Sequence, residues 1–235
     1  MTLLSVVQDV CATVGVVIPQ SIFSGITNNR TAQEMLSLAN EMAQRIAYDD
    51  RDWMILRKTV SYAGDGVTGA FDLPIDYKRM LLTSNVWRST STLYPMRFIA
   101  DTDEWLNRRA RNYYDARGEW TMLGGQILVE PVMGADTSCY FAYLHKNCVK
   151  LANGLGDVFT ADGDSFLLNE RVFKLGMIWQ WKAYKGSPYQ EDMGSYEDAL
   201  GSVGGRDKPS PTIIGRLPIS AGIRTGYPFP VVIGP

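Results

Sequence analysis

A chain of 235 residues with 46% hydrophobic content can bury a real core, as one large domain or two small ones. Its formal net charge of −2 gives no general basic footprint for gripping nucleic acid, although DNA can pass a near-neutral surface without being held. The first residues lack the basic start of a signal peptide, and no apolar run is long enough to span a bilayer. Cys11, Cys139 and Cys148 are odd in number and lack metal-ligand spacing, so they are expected to be free, buried thiols of a reducing compartment.

Taken in chain order, Leu3, Val7, Val10 and Val14 share one face at helical spacing, and Gly15 can supply a left-handed cap. After a loop, Thr31 and Glu34 have the spacing of a capping box. The helix it opens carries Met35, Leu38, Ala39, Met42 and Ile46 on one stripe and should stop near Asp50. From Trp53 to about Val149 the pattern turns to short β-type runs between turn residues. One covers 54–62, and Pro74 interrupts the ladder after Phe71-Asp72-Leu73. A hairpin is predicted for 81–88 with 92–99, turning at 89–91. A short helix capped by Asp101 is predicted for 103–109. The clearest hairpin joins 119–123 to 126–129 through Gly124-Gly125, and 137–145 adds a strand.

Helical spacing returns with Leu168, Val172, Leu175 and Trp179 on one stripe, flanked by Trp181 and Tyr184 and closed by Gly186-Ser187-Pro188. A weaker helix is predicted for 189–200. The expected fold class is α+β. Residues 1–53 and 165–205 form a helical bundle from both ends of the chain, 54–164 are an inserted β-rich module, and 206–235 are an extended proline-rich C-terminal arm.

That arm holds six of the eleven prolines, and four basic residues against one acidic, so it is +3 and the rest of the chain −5. Proline forbids a helix and favours extended geometry. The apolar residues Ile213, Ile214, Leu217, Ile219, Tyr227, Phe229, Val231 and Ile233 are too many for a solvated linker. With Arg206, Lys208, Arg216 and Arg224 they describe an arm that cannot fold alone but has apolar anchors to bury elsewhere. The alternative is a tail folded back on its own domain.

No arrangement of groups suggests catalysis. His145, the only histidine, stands at a strand end with no glycine-elbow serine in the chain. Asp162 and Asp164 resemble half of a calcium loop, but Glu170 comes too early to close it, so a turn capping the next helix is expected. Neither common phosphate-binding glycine loop occurs. Arg108, Arg109, Arg111 and Arg117 interleave with Tyr113-Tyr114, a pairing that can hold single-stranded nucleic acid. Nearby acids almost cancel their field, so they are read as an inter-subunit salt-bridge cluster. The chain is expected not to be an enzyme and to need no cofactor or metal.

Four stretches then match one family in its order. They are Leu36-Ser37-Leu38-Ala39-Asn40-Glu41 leading into Asp49-Asp50-Arg51-Asp52-Trp53; Phe71-Asp72-Leu73-Pro74-Ile75-Asp76-Tyr77-Lys78-Arg79, like its "LPxD" segment; Gly124-Gly125-Gln126-Ile127-Leu128-Val129-Glu130-Pro131, like its glycine hairpin; and Leu168 to Gly186, with Trp179 and Trp181-Lys182. Across about 30–200 the chain resembles the head-to-tail adaptor proteins of short-tailed bacteriophages, the tail tubular protein A type. The resemblance implies a structural virion protein of the neck, made in the host cytoplasm. It implies a homo-oligomeric ring of twelve copies between the portal protein and the next tail or nozzle protein. The genome would pass through the channel during ejection without sequence-specific binding, and no membrane is involved. Such a ring needs head-to-tail side faces that close. The arm matches nothing in the family, but in such a ring it would bind the portal or a neighbouring adaptor subunit. A second reading, of a different class, is a carbohydrate- or receptor-binding tail module on the β-rich insert. In it Trp87, Tyr94, Trp105, Tyr113, Tyr114 and Trp120 would form a stacking face.

Overall fold

The computed structural model describes residues 1–24, 29–82, 84–89 and 94–207, which form a mixed α+β fold of five helices and three sheets. Helix α1, Leu3–Val14, ends on Gly15 at φ 75°, as the sequence predicts, and the Thr2 hydroxyl caps its start. Helix α2, Arg30–Tyr48, starts earlier than the capping box requires. Asn29 is its N-cap and accepts from the Ala32 amide, so Thr31 lies inside the first turn. Asn caps as well as Thr does, and Glu34 is occupied instead by Arg30 and Lys185.

A 3₁₀ turn, Met54–Leu56, leads into the β region. Strands β1 (Arg57–Ala63), β2 (Ala70–Asp72), β3 (Tyr77–Met80), β4 (Trp87–Arg88) and β5 (Arg97–Phe98) precede helix α3, Thr102–Arg111. Strands β6 (Glu119–Leu123), β7 (Gln126–Glu130) and β8 (Ser138–His145) follow. β6 and β7 form the expected hairpin, with Gly124 and Gly125 at φ 60° and 81°, where a side chain would be strained.

Among the described residues the hairpin expected from 81–99 is reduced to one backbone bond, from the Met96 amide to the Val86 carbonyl at 2.9 Å. β4 pairs antiparallel with β8, while β5 pairs in parallel with β6, and residues 90–93 lie outside the described set. Each short run finds a longer strand of another sheet, which offers more ladder than two-residue strands offer each other. The first sheet therefore runs β1-β8-β3, with β4 also on β8, and the second runs β2-β7-β6-β5. Val86, Met96, Trp120, Ile127, Val129, Met133, Cys139, Phe141 and Tyr143 fill one core between them.

Strands β9 (Val149–Leu151), β10 (Gly154–Gly156) and β11 (Ser165–Phe166) make a small third sheet that the sequence reading did not anticipate. Helix α4, Glu170–Tyr184, follows. Val172, Phe173, Met177, Ile178, Trp179 and Trp181 are all buried, so α4 is covered on more than the single stripe expected. The cause is its position: α1, α2 and α5 all pack on it. A helix apolar nearly all round belongs at the centre of a layer.

Helix α5, Gln190–Arg206, runs past Gly204-Gly205, where the sequence suggests a boundary. Gly204 is buried, and a Cβ there would collide with the Arg51 guanidinium, so close packing outweighs glycine's weak helix propensity. Arg206, assigned to the arm from sequence, is thus the last residue of α5.

Asp162 and Asp164 do not cap α4, whose N-cap is Asn169. Their backbone carbonyls accept the Leu4 and Leu3 amides at 3.2 and 2.6 Å, closing the start of α1. The Asp162 carboxylate takes the Ile22 amide at 2.8 Å and the Ser21 hydroxyl at 2.5 Å, and Asp164 holds the Thr160 and Ala161 amides. First-turn helical amides are orphans by geometry, and this turn supplies their acceptors.

Candidate interaction surfaces

Two aspartates, Asp52 and Asp76, sit where the helical layer meets the first sheet. Asp52 accepts from Arg79 of β3 at 2.5 Å, and its carbonyl takes the Arg57 guanidinium at 2.7 Å. Asp76, before β3, accepts from Lys58 of β1 at 2.6 Å and from the Tyr143 hydroxyl of β8 at 2.8 Å. Burial alone would raise the Asp76 pKa, but the Lys58 and Tyr143 contacts overcome it and hold the carboxyl below its usual range. These residues fix the strands of one sheet to one another and to the end of α2.

The arginine cluster on and after α3 is largely satisfied within the chain. Arg108 bonds Glu104 at 2.8 Å and Glu119 at 2.6 Å, Arg109 reaches Glu130 at 3.5 Å, and Arg117 pairs with Asp115 at 2.9 Å. Arg117 holds Asp115 well below the ordinary carboxylate range. Of these four arginines, Arg111 alone is exposed with no ion pair to the described residues. Glu119 and Glu130 face each other across the β6–β7 hairpin and are both buried. Two carboxylates directly opposed would repel, so the arginines of α3 are what make that pairing tolerable. The pairing was legible once the two-glycine turn fixed the register.

An open apolar groove of about 330 Å³ lies at the C-terminal end of α5. Trp53, Ile55, Leu167, Leu168 and Val203 line it, with Arg206 and Asp207 at its rim. Ile55 is 52% exposed there, and the neighbouring Met54 is exposed too. The Asp207 amide bonds the Val203 carbonyl at 3.1 Å, and its carboxylate takes the Met54 amide at 2.9 Å. The point at which the chain leaves the described fold is therefore held against this groove. Sequence reading missed it, because its walls come from three separate stretches; Leu167-Leu168 and Trp53-Met54-Ile55 were the available signals. Of the predicted arm residues, Lys208, Ile213, Ile214, Arg216, Leu217, Ile219, Arg224, Tyr227, Phe229, Val231 and Ile233 lie outside the described residues.

The six aromatics of the carbohydrate reading do not share one exposed face. Trp105 and Trp120 are buried, Trp120 against Phe98 with ring centroids 4.6 Å apart, while Trp87 belongs to the other sheet. Arg108 stands 5.9 Å over the exposed Tyr113. His145 is buried at the end of β8, and its Nδ1 accepts the Asn147 amide at 3.2 Å. Burial lowers its pKa, favouring the neutral ring. The three cysteines are free and buried. Burial pushes Cys139 and Cys148 up to about 11 and raises Cys11, so thiolate is scarce near neutral pH. Among the described residues no group of three His, Cys, Asp or Glu side chains is placed to hold a metal ion, and no helix is long and apolar enough to cross a membrane. No family model matches the sequence, and no curated protein does.

Proposed function

We propose that this chain is a structural virion protein, an adaptor that forms a ring between the capsid portal and the tail of a short-tailed bacteriophage. In this reading the helices from both ends of the chain are a bundle that carries the β-rich module as an insert, and the C-terminal segment is an arm that anchors to the portal or to neighbouring adaptors. The genome passes through the ring, and a chain of net charge −2 suits a channel that must not hold it.

The observation that carries the reading is the use made of the adaptor-like stretches. Two of their acids, Asp52 and Asp76, are spent on joining elements, to Arg79 and to Lys58 with Tyr143. Residues that order a scaffold fit a protein whose task is assembly. The open groove beside the departing chain adds an unsatisfied apolar surface of the kind that partners cover.

The test is to mix the purified protein with isolated portal rings and to examine the product by sedimentation and electron microscopy. A second sample ends after Asp207. The full chain should form a ring on the portal, and the truncated chain should bind markedly less. Failure of the full chain to bind any portal ring would overturn the proposal, while equal binding by both would remove the arm from the mechanism.

A further inference from the structure

The groove at the end of α5 also points to where the C-terminal segment rests before any partner is met. We propose that in the free protein Ile213, Ile214 and Leu217 occupy the groove lined by Trp53, Ile55, Leu167, Leu168 and Val203 of their own chain.

Three observations lead there. The groove is apolar and open, with Ile55 half exposed at its edge. The root of the segment is fixed at its rim, because Asp207 bonds both Val203 and Met54. Charge favours return of the segment to the body of the chain as a whole, the groove's own rim holding one residue of each sign, Arg206 and Asp207. Residues 1–207 hold all 25 acidic residues against 20 basic ones (23 less Lys208, Arg216 and Arg224), whereas 208–235 carry those three bases and no acid. Only residues 208–212 separate the root from Ile213. Extended, they reach roughly 15–18 Å, enough to return along a groove that begins at Asp207. The later apolar group around Tyr227 and Phe229 would need a longer loop and is disfavoured for the first contact.

The own segment wins over a second copy by concentration. A short tether holds its apolar residues near the groove at an effective concentration on the order of millimolar, well above a dilute free protein. A docked segment is concealed until a competing surface draws it out. The docking itself stands independently of the adaptor reading.

Trypsin reports the state of the full chain directly. It cleaves after Arg216 only when the segment is released, so the rate follows the released fraction. Ile55→Asp places a charge in the groove at a half-exposed position that the fold does not need. Cleavage at Arg216 should be about tenfold or more faster in I55D than in the parent, with thermal unfolding unchanged, as expected when opening controls proteolysis. Equal rates would overturn the proposal. A second readout joins Ile55→Cys to Ile214→Cys with a short bismaleimide, the three native thiols being buried and largely unreactive. An intrachain link that persists on dilution supports the proposal. Interchain links, or no link, would overturn it. Neither assay contains a portal, so failure here leaves the adaptor reading to its own experiment.

Discussion

His145 illustrates how a residue type suggestive of chemistry serves packing. Its neutral ring is preferred in the fold because burial disfavours the charged form, with Lys58 adding to that effect, and its Nδ1 is engaged as an acceptor. The unfolded chain binds a proton on this residue below about pH 6.5, and the folded chain resists doing so. Stability contributed by the neutral ring is therefore intact above that pH and is lost as pH falls towards the lowered folded value. We expect His145→Gln to flatten the pH dependence of unfolding as pH falls below about 6.5, by up to about 1.4 kcal/mol per pH unit relative to the parent. Urea titrations across that range, compared between the two proteins, measure it; identical slopes would show that the ring protonates freely in the fold. The sequence showed that His145 had no triad partners. That it would be buried needed the β8 register, because the strand end itself lies against the helical layer.

At the scale of elements, α3 and the β6–β7 hairpin form a unit whose stability rests on charge. Glu119 is wholly buried and depends on Arg108, and its Oε2 has no hydrogen-bond partner among the described residues. Arg108→Ala should clearly destabilise the protein, since it leaves the buried Glu119 carboxylate with only the Asp115 amide as a partner. Adding Glu119→Gln to that variant should restore much of the loss. Chemical denaturation of both variants tests this, and a single-variant loss under about 1 kcal/mol would place the support of Glu119 elsewhere. Elements set by local chemistry were legible: the capped α1, the Gly124-Gly125 hairpin and the Asp101-capped α3. Those set by distant partners were not. Strands β4 and β5 are two residues long, and nothing near them in sequence reveals that one joins β8 and the other β6. The length of α5 was hidden for the same reason, since the Arg51 guanidinium that packs on Gly204 comes from a distant stretch.

Across the whole molecule, two cores meet at β8. Cys139, Phe141 and Tyr143 face the core between the sheets, while Leu144 enters the core of the helices. That helical core also takes Leu56, Cys148, Val149, Phe159 and Phe166 from the middle of the chain. A cut at a module boundary would thus expose apolar surface on both sides. Leu144→Ala should cost about 2–5 kcal/mol. It should raise hydrogen exchange in β8 and in α4 together, as mass spectrometry of exchanged peptides can report. Increased exchange confined to the helices would show that the two cores open separately. The class of the fold could be read from periodicity, but the groove at the end of α5 could not. Its walls meet only once α5, the turn after Trp53 and the segment before α4 have been brought together.

The turn at 160–164 has a bearing on how the protein is made. The acceptors for the first amides of α1 and its packing partner α4 are synthesised long after α1 has left the ribosome. At about 5–20 residues per second, the leading helix waits roughly 10–30 s before its seat exists. A helix made well before its partners is thus among the last to be lodged, and its apolar stripe must be sheltered meanwhile by the growing polypeptide or by a chaperone.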